Sequence, residues 1–120
     1  MSARFRFETL QIWQLAAELS LPLFQLADGL EKKKLYRFAE QLRGAVLSVS
    51  NNIAEGSGST SEREFQQFLN FSRRSVFETA NVLLILSLQG SVSEDAAQRW
   101  LPRLEELSRK ITAFSRSLGP

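Results

Sequence analysis

The sequence contains no cysteine and no histidine. Without cysteine, the chain has no disulfide, no thiolate zinc ligand and no cysteine nucleophile. Without histidine, it lacks the commonest general base and the imidazole ligands of most zinc and iron sites. Its only aspartates are Asp28 and Asp95, and neither lies in an acidic cluster. These absences exclude a Ser-His-Asp hydrolase, and we expect no metal and no cofactor.

Long apolar segments are also missing. The most apolar stretch, NVLLILSL at 81–88, is too short to cross a bilayer. The opening residues MSARFRFETL mix charged and aromatic side chains and do not resemble a signal peptide. We therefore expect a cytoplasmic protein with no membrane partner.

What the sequence does contain is helical periodicity. With 120 residues, of which 43% are hydrophobic, the chain is expected to form a single domain over 1–120. Apolar residues recur at a spacing of about 3.6 in four blocks, while strand patterns are nearly absent. The predicted helices cover about 9–28, 32–56, 61–89 and 93–118. Because the connections are short, the sequence predicts an all-α, antiparallel, up-down-up-down four-helix bundle.

Several residues predict where helices end or bend. Thr9 and Ser93 are expected to cap the first and fourth helices, and Gly29 to end the first in the left-handed conformation. Pro22 predicts a kink in the first helix, and Pro102 predicts a bend or a break in the fourth.

The stretch SVSNNIAEGSGSTSEREF at 48–65 contains two closely spaced glycines, a feature that is also found in phosphate-binding loops. It lacks the lysine of a P-loop and follows a predicted helix, whereas phosphate loops follow a strand. A helix stop explains it better: Gly56 is expected to be left-handed, and Gly58 to turn the chain. Ser61 and Glu64 then have the spacing of a capping box that starts the third helix.

Polar residues near the end of the second helix allow two interpretations. Glu55 could be a catalytic base or metal ligand with amide helpers, or Asn52 and Glu55 could be structural anchors between helices. The structural interpretation is favoured, because no second carboxylate or histidine completes a site. As an acid near the negative end of a helix, Glu55 is expected to have a cationic partner, with Arg43, Arg73 and Arg74 as candidates.

Basic residues form a second candidate site. Three lysines crowd the predicted start of the second helix, where cations oppose the helix dipole. Together with four arginines they could contact phosphates, although ordinary solvated charges explain them as well in an isolated chain of net charge +2. The candidate nucleic-acid contacts are Lys32, Lys33, Lys34, Arg37, Arg43, Arg73 and Arg74.

The third helix carries more apolar residues than one core-facing stripe requires. A helix that is apolar almost all round must be covered on its far side too. Self-association is the simpler prediction, and a broad contact with the first and fourth helices is the alternative. The candidate interface residues are Phe71, Phe77, Val82, Leu84, Ile85 and Leu88.

The stretch from Gln41 to Glu78 resembles a bacterial family of four-helix bundle proteins, which includes those encoded by intervening sequences within 23S ribosomal RNA genes. The Asn-Ile-Ala-Glu-Gly segment at 52–56 is the most specific part of the resemblance. Gly44, Ser59 and Arg74 depart from the family pattern. The family-motif residues that we expect to be structural are Asn52, Glu55, Gly56, Gly58, Ser61, Glu64 and Glu78.

The resemblance implies a helical bundle that assembles into a ring, commonly a pentamer. Accessory proteins of diversity-generating retroelements share this architecture and bind nucleic acid and a reverse transcriptase, while the function of the intervening-sequence branch is not established. The first hypothesis is thus a non-enzymatic homo-oligomeric adaptor that binds RNA or DNA, alone or within a ribonucleoprotein. The alternative is a protein-interaction scaffold that does not bind nucleic acid. A hydrolase or transferase that uses Glu55 is a third hypothesis, for which partner groups are missing.

Overall fold

Four long helices make up most of the structure, a computed structural model that describes residues 2–120. They are α1 (Gln11–Lys32), α2 (Tyr36–Ser57), α3 (Glu62–Leu88) and α4 (Glu94–Ser117), and a 3-10 turn at Arg6–Thr9 precedes them. No strand is present within residues 2–120. The prediction of an all-α chain with four helices is confirmed.

The helices pack around one hydrophobic core. Each helix contacts the next one along the chain, and α1 also contacts α4, so that the four enclose the core between them. The predicted apolar stripes meet there, because each helix is amphipathic with a period of 3.6. The largest fully buried side chains include Leu23, Leu42, Ile53, Phe65, Leu83 and Ile111.

The turn between α1 and α2 differs from its prediction. Gly29 does not end the first helix, which continues to Lys32 because the next residue, Leu30, is buried in the core at 2% exposure. The left-handed residue is instead Lys34, with φ of 66°. Lys32 therefore ends α1, and Lys33 and Lys34 lie in the turn that precedes α2. At the end of α1 their charge favours the dipole of that helix.

Replacing Lys34 with glycine is expected to stabilise the protein by about 1 kcal/mol, because a left-handed conformation costs a residue with a Cβ about 1–2 kcal/mol. The measurement is the free energy of unfolding in urea. Lys33→Gly is the matched control, since Lys33 has φ of −85° and gains nothing from glycine. Equal stability changes in the two variants would contradict the prediction.

The turn between α2 and α3 also corrects the expectation for the glycines. Gly56 lies inside α2, and Gly58 has φ of −87°, so neither is left-handed. The start of α3 agrees with the prediction in part: the Ser61 hydroxyl accepts a hydrogen bond from the Glu64 amide at 3.1 Å. Within residues 2–120, no return bond from the Glu64 carboxylate is present.

The first helix begins later than predicted. Its N-cap is Leu10 and not Thr9, whose hydroxyl donates to the Arg6 carbonyl instead. Just upstream, the Glu8 carboxylate accepts from the backbone amides of Phe5 at 2.8 Å and Arg4 at 2.9 Å. These bonds hold the pKa of Glu8 below its ordinary value. They close the start of the 3-10 turn, and the Gln14 amide, which donates to the Glu8 carbonyl at 2.9 Å, ties the turn to α1.

The fourth helix begins as predicted, because the Ser93 hydroxyl accepts from the Ala96 amide at 3.1 Å. Pro102 does not break it, since α4 is continuous from Glu94 to Ser117. Pro22 likewise lies inside the continuous α1.

Candidate nucleic-acid interface

A cluster of exposed cations surrounds the turn between α1 and α2. Lys32, Lys33, Lys34 and Arg37 are all exposed there. The Lys33 ammonium donates to the backbone carbonyl of Ser91 at 3.0 Å. This bond joins the α1–α2 turn to the α3–α4 connection, so both lie at the same end of the bundle.

Arg43 forms ion pairs with two acidic residues of α1. Its guanidinium lies 2.6 Å from the Asp28 carboxylate and 2.7 Å from that of Glu31. The hydrogen bond to Asp28, followed by the one to Glu31, raises the pKa of Arg43 above its ordinary value. Arg43 thus offsets part of the negative charge of the two acids that lie beside the lysines.

The remaining predicted contacts lie elsewhere. Arg73 and Arg74 are exposed in the middle of α3, and Arg73 is about 22 Å along the helix axis from Leu88 at the lysine end. The Arg73 guanidinium lies over the ring of Phe77, 4.9 Å from its centre. The seven predicted cations are therefore divided between two places, and they do not form one patch.

A groove between α3 and α4 contains basic residues that the sequence interpretation missed. Arg109 and Arg116 line it from α4, opposite Arg73 of α3. Their spacing was visible in the sequence: Arg109, Thr112 and Arg116 lie on one face of a helix. Only the tertiary structure, however, shows that this face lies beside Arg73.

The family motif lies mainly where α2 meets α3. The Gln41 amide donates to the Glu78 carboxylate at 2.7 Å, and the hydroxyls of Ser48 and Ser75 are 2.8 Å apart. The Asn52 amide donates to the Ser48 carbonyl at 2.8 Å and to its hydroxyl at 3.0 Å. Asn52 thereby orients the serine pair that links the two helices.

The same interface is close-packed at two further points. The buried Ser72 hydroxyl donates to the Val49 carbonyl at 2.7 Å. At Gly56, an added Cβ would lie 2.6 Å from the Cβ of Phe68 and 2.8 Å from the ring of Phe65. The motif glycine is therefore needed for close approach of the helices and not for a turn.

Glu55 does not fit the role expected from its position. Its side chain is exposed on the last turn of α2. In the described part of the chain, the carboxylate makes no ion pair with Arg43, Arg73 or Arg74, so the expectation of a cationic partner is wrong. Residues 2–120 also contain no group of three or more acidic side chains that could hold a metal ion.

The chain, including the segments that form the α2–α3 interface, matches a known protein family. The family model of the 23S rRNA-intervening sequence protein matches residues 8–113. The chain belongs to this family. The match spans the whole motif described above, helices α1 to α3, and α4 except for its last four residues.

A protein of known structure has the same fold. It is the crystal structure of a protein with unknown function from the S23 ribosomal protein family of Bacteroides thetaiotaomicron. The two chains superpose with a TM-score of 0.82 at 17% identity, over 87% of this chain and 97% of that one. At this identity the likeness shows the fold alone. No curated protein matches the sequence.

The side of α3 that faces away from the core carries several exposed apolar residues. Phe77, Leu84, Ile85 and Leu88 are between 44% and 84% exposed, and Phe71 is 47% exposed. The prediction for Val82 is wrong: it was expected to face outward, but it is only 7% exposed and packs in the core.

Among the described helices, none is long and apolar enough to cross a membrane.

Proposed function

We propose that this member of the 23S rRNA-intervening sequence protein family is a non-enzymatic, homo-oligomeric adaptor that binds RNA or DNA in the cytoplasm. The observation that carries the proposal is the exposed lysine cluster, Lys32, Lys33 and Lys34, at the end of α1. Because Arg43 binds both Asp28 and Glu31, it offsets one of the two negative charges that lie beside this cluster. The lysines are left to attract phosphates.

Assembly strengthens this attraction. A ring repeats the cluster once per subunit, and several phosphate contacts along one strand add their effects. The pentamer is the number that the family resemblance suggests. The exposed apolar face of α3 supports self-association, because burying it against a second copy removes it from water.

An antiparallel, up-down-up-down arrangement belongs to the same proposal. Gln41 near the start of α2 bonds Glu78 in the second half of α3, while Gly56 near the end of α2 contacts Phe65 near the start of α3. This reversed order of contacts supports opposite directions for the two helices. Such a bundle places both the α1–α2 and α3–α4 connections at the lysine end.

A salt titration tests the proposal. The protein is expected to bind labelled RNA or DNA at 50 mM salt, with an affinity that falls steeply as salt rises. In the K32Q/K33Q/K34Q variant, the slope of log affinity against log salt should become shallower by about 0.7–0.9 for each lost phosphate contact. Fluorescence anisotropy over a salt series measures both quantities.

The matched control removes the same charge from α4, in the variant R99Q/R103Q/K110Q. It should keep the salt slope of the parent if the lysine cluster makes the contacts. Equal slopes in all three proteins would show that the cluster does not bind, and absence of binding by the parent at 50 mM salt would overturn the proposed function.

A protein-interaction scaffold is the second candidate, and one observation favours it. A polar groove of about 530 Å³ between α2 and α3 is lined by motif residues, among them Asn52 and Glu78, and by Phe71 and Arg74. This mixture of an aromatic ring, an amide and opposite charges suits a peptide segment. If the protein is a scaffold, a pull-down should recover a specific protein partner, and the Arg74→Glu variant should no longer recover it. The scaffold hypothesis also predicts that the protein does not bind nucleic acid.

A further inference from the structure

The groove between α3 and α4 is basic and has an apolar floor. It comprises two cavities, of about 330 and 320 Å³, which share Arg73, Thr112 and Arg116. Leu69 and Ile111 lie at the base of the first cavity, and Arg109 lines only the second. Arg73 lines it from α3, and Arg109 and Arg116 line it from α4. No acidic residue is among the described residues that line it. Three guanidinium groups and neutral polar groups are a suitable lining for an anion.

The arginines are held in place by contacts that leave them able to bind. Arg73 is supported by its stacking on Phe77. Arg109 pairs with Glu105 one turn away on α4 at 2.8 Å, but both side chains are about two-thirds exposed. An exposed pair of this kind contributes little and exchanges readily for a phosphate. Arg116 forms no ion pair within residues 2–120.

The width of the groove restricts its ligand. The axes of packed helices lie about 8–10 Å apart, so the furrow between two neighbours accepts one extended strand rather than a duplex. The two arginines of α4 are about 10 Å apart along the helix at 1.5 Å per residue. They can therefore contact more than one phosphate of the same strand.

We infer that the α3–α4 groove is a binding site for the phosphate backbone of single-stranded nucleic acid, with Arg73, Arg109 and Arg116 as its contacts. This inference rests on the proposed function and adds a second site, distant from the lysine cluster. The lysine end provides general attraction for polyanions, and the groove discriminates a single strand from a duplex.

The test compares a labelled oligothymidylate of 12 nucleotides with a duplex of the same length, at 50 mM salt. In the variant R73Q/R109Q/R116Q, binding of the single strand is expected to weaken at least tenfold, because about three charge contacts are lost. Binding of the duplex should change by less than threefold. The K32Q/K33Q/K34Q variant should retain the preference for the single strand, and R99Q/R103Q/K110Q is the charge-matched control. Circular dichroism verifies that every variant is folded.

The outcomes separate the two proposals. If the parent binds nucleic acid but the groove variant loses single strand and duplex equally, or loses neither, the inference is wrong and the proposed function stands. If the parent binds no nucleic acid, both are wrong. A groove variant that loses only the single strand, together with chemical shift changes in α3 and α4 when oligothymidylate is added, supports the inference.

Discussion

Gly56→Ala is expected to destabilise the protein by about 1–2 kcal/mol, although alanine favours helix over glycine by about 1 kcal/mol. The added Cβ would lie 2.6 Å from the Cβ of Phe68, a distance that carbon atoms do not reach without displacement. The Phe65 ring is buried at 1% exposure and packs against Phe114, and the Cβ of Phe68 is fixed to its backbone. The two helices must therefore separate, and every contact along their interface loosens.

The control is a second glycine of the same helix. Gly44 lies inside α2 with no other group within 4 Å of an added Cβ, so it does not need to be glycine for packing within the chain. Gly44→Ala should stabilise the protein by about 1 kcal/mol through helix propensity alone. Urea unfolding of both variants measures the difference, which should be about 2–3 kcal/mol with opposite signs. A stabilising Gly56→Ala would show that the close approach of α2 and α3 is not real.

The double substitution L84D/L88D is expected to convert the proposed homo-oligomer into folded monomers of 13.6 kDa. The two leucines are 45% and 84% exposed in the single chain, so their replacement does not empty the core. Burial of a leucine contributes about 1.5–3 kcal/mol, and a buried aspartate adds a further cost. A loss of about 4 kcal/mol per interface weakens association about a thousandfold.

Light scattering at micromolar concentration measures the change in mass, and circular dichroism shows whether the helices are retained. Leu21→Asp provides the control, because Leu21 is 65% exposed on a different helix. It should leave the assembly intact. A parent protein that is already monomeric, or a double variant that keeps the mass of the parent, would disprove the role of this face.

Much of the candidate site could be predicted from the sequence, because local patterns carried the information. The lysine run is contiguous, and the apolar excess of α3 is visible as periodicity, so both were found before the structure. Val82 was misassigned because one residue at the edge of an apolar stripe can face either way. Arg109 and Arg116 were missed because their relevance depends on which helix lies beside α4.

The sequence alone determined the class of fold: the 3.6-residue period of its apolar residues requires amphipathic helices, and four such helices bury their faces only by packing together. It also identified the motif around Gly56. The tertiary structure decided what the motif does, because the need for glycine there arises from Phe65 and Phe68 on another helix and not from backbone conformation. It likewise decided that Arg43 pairs with acids while the three lysines form no ion pair within residues 2–120, since these pairings depend on distances across α1 and α2. The periodicity of apolar residues is a local property that can be seen in the sequence. Which charges pair and how closely two helices approach depend on residues that are distant along the chain, so only the tertiary structure shows them.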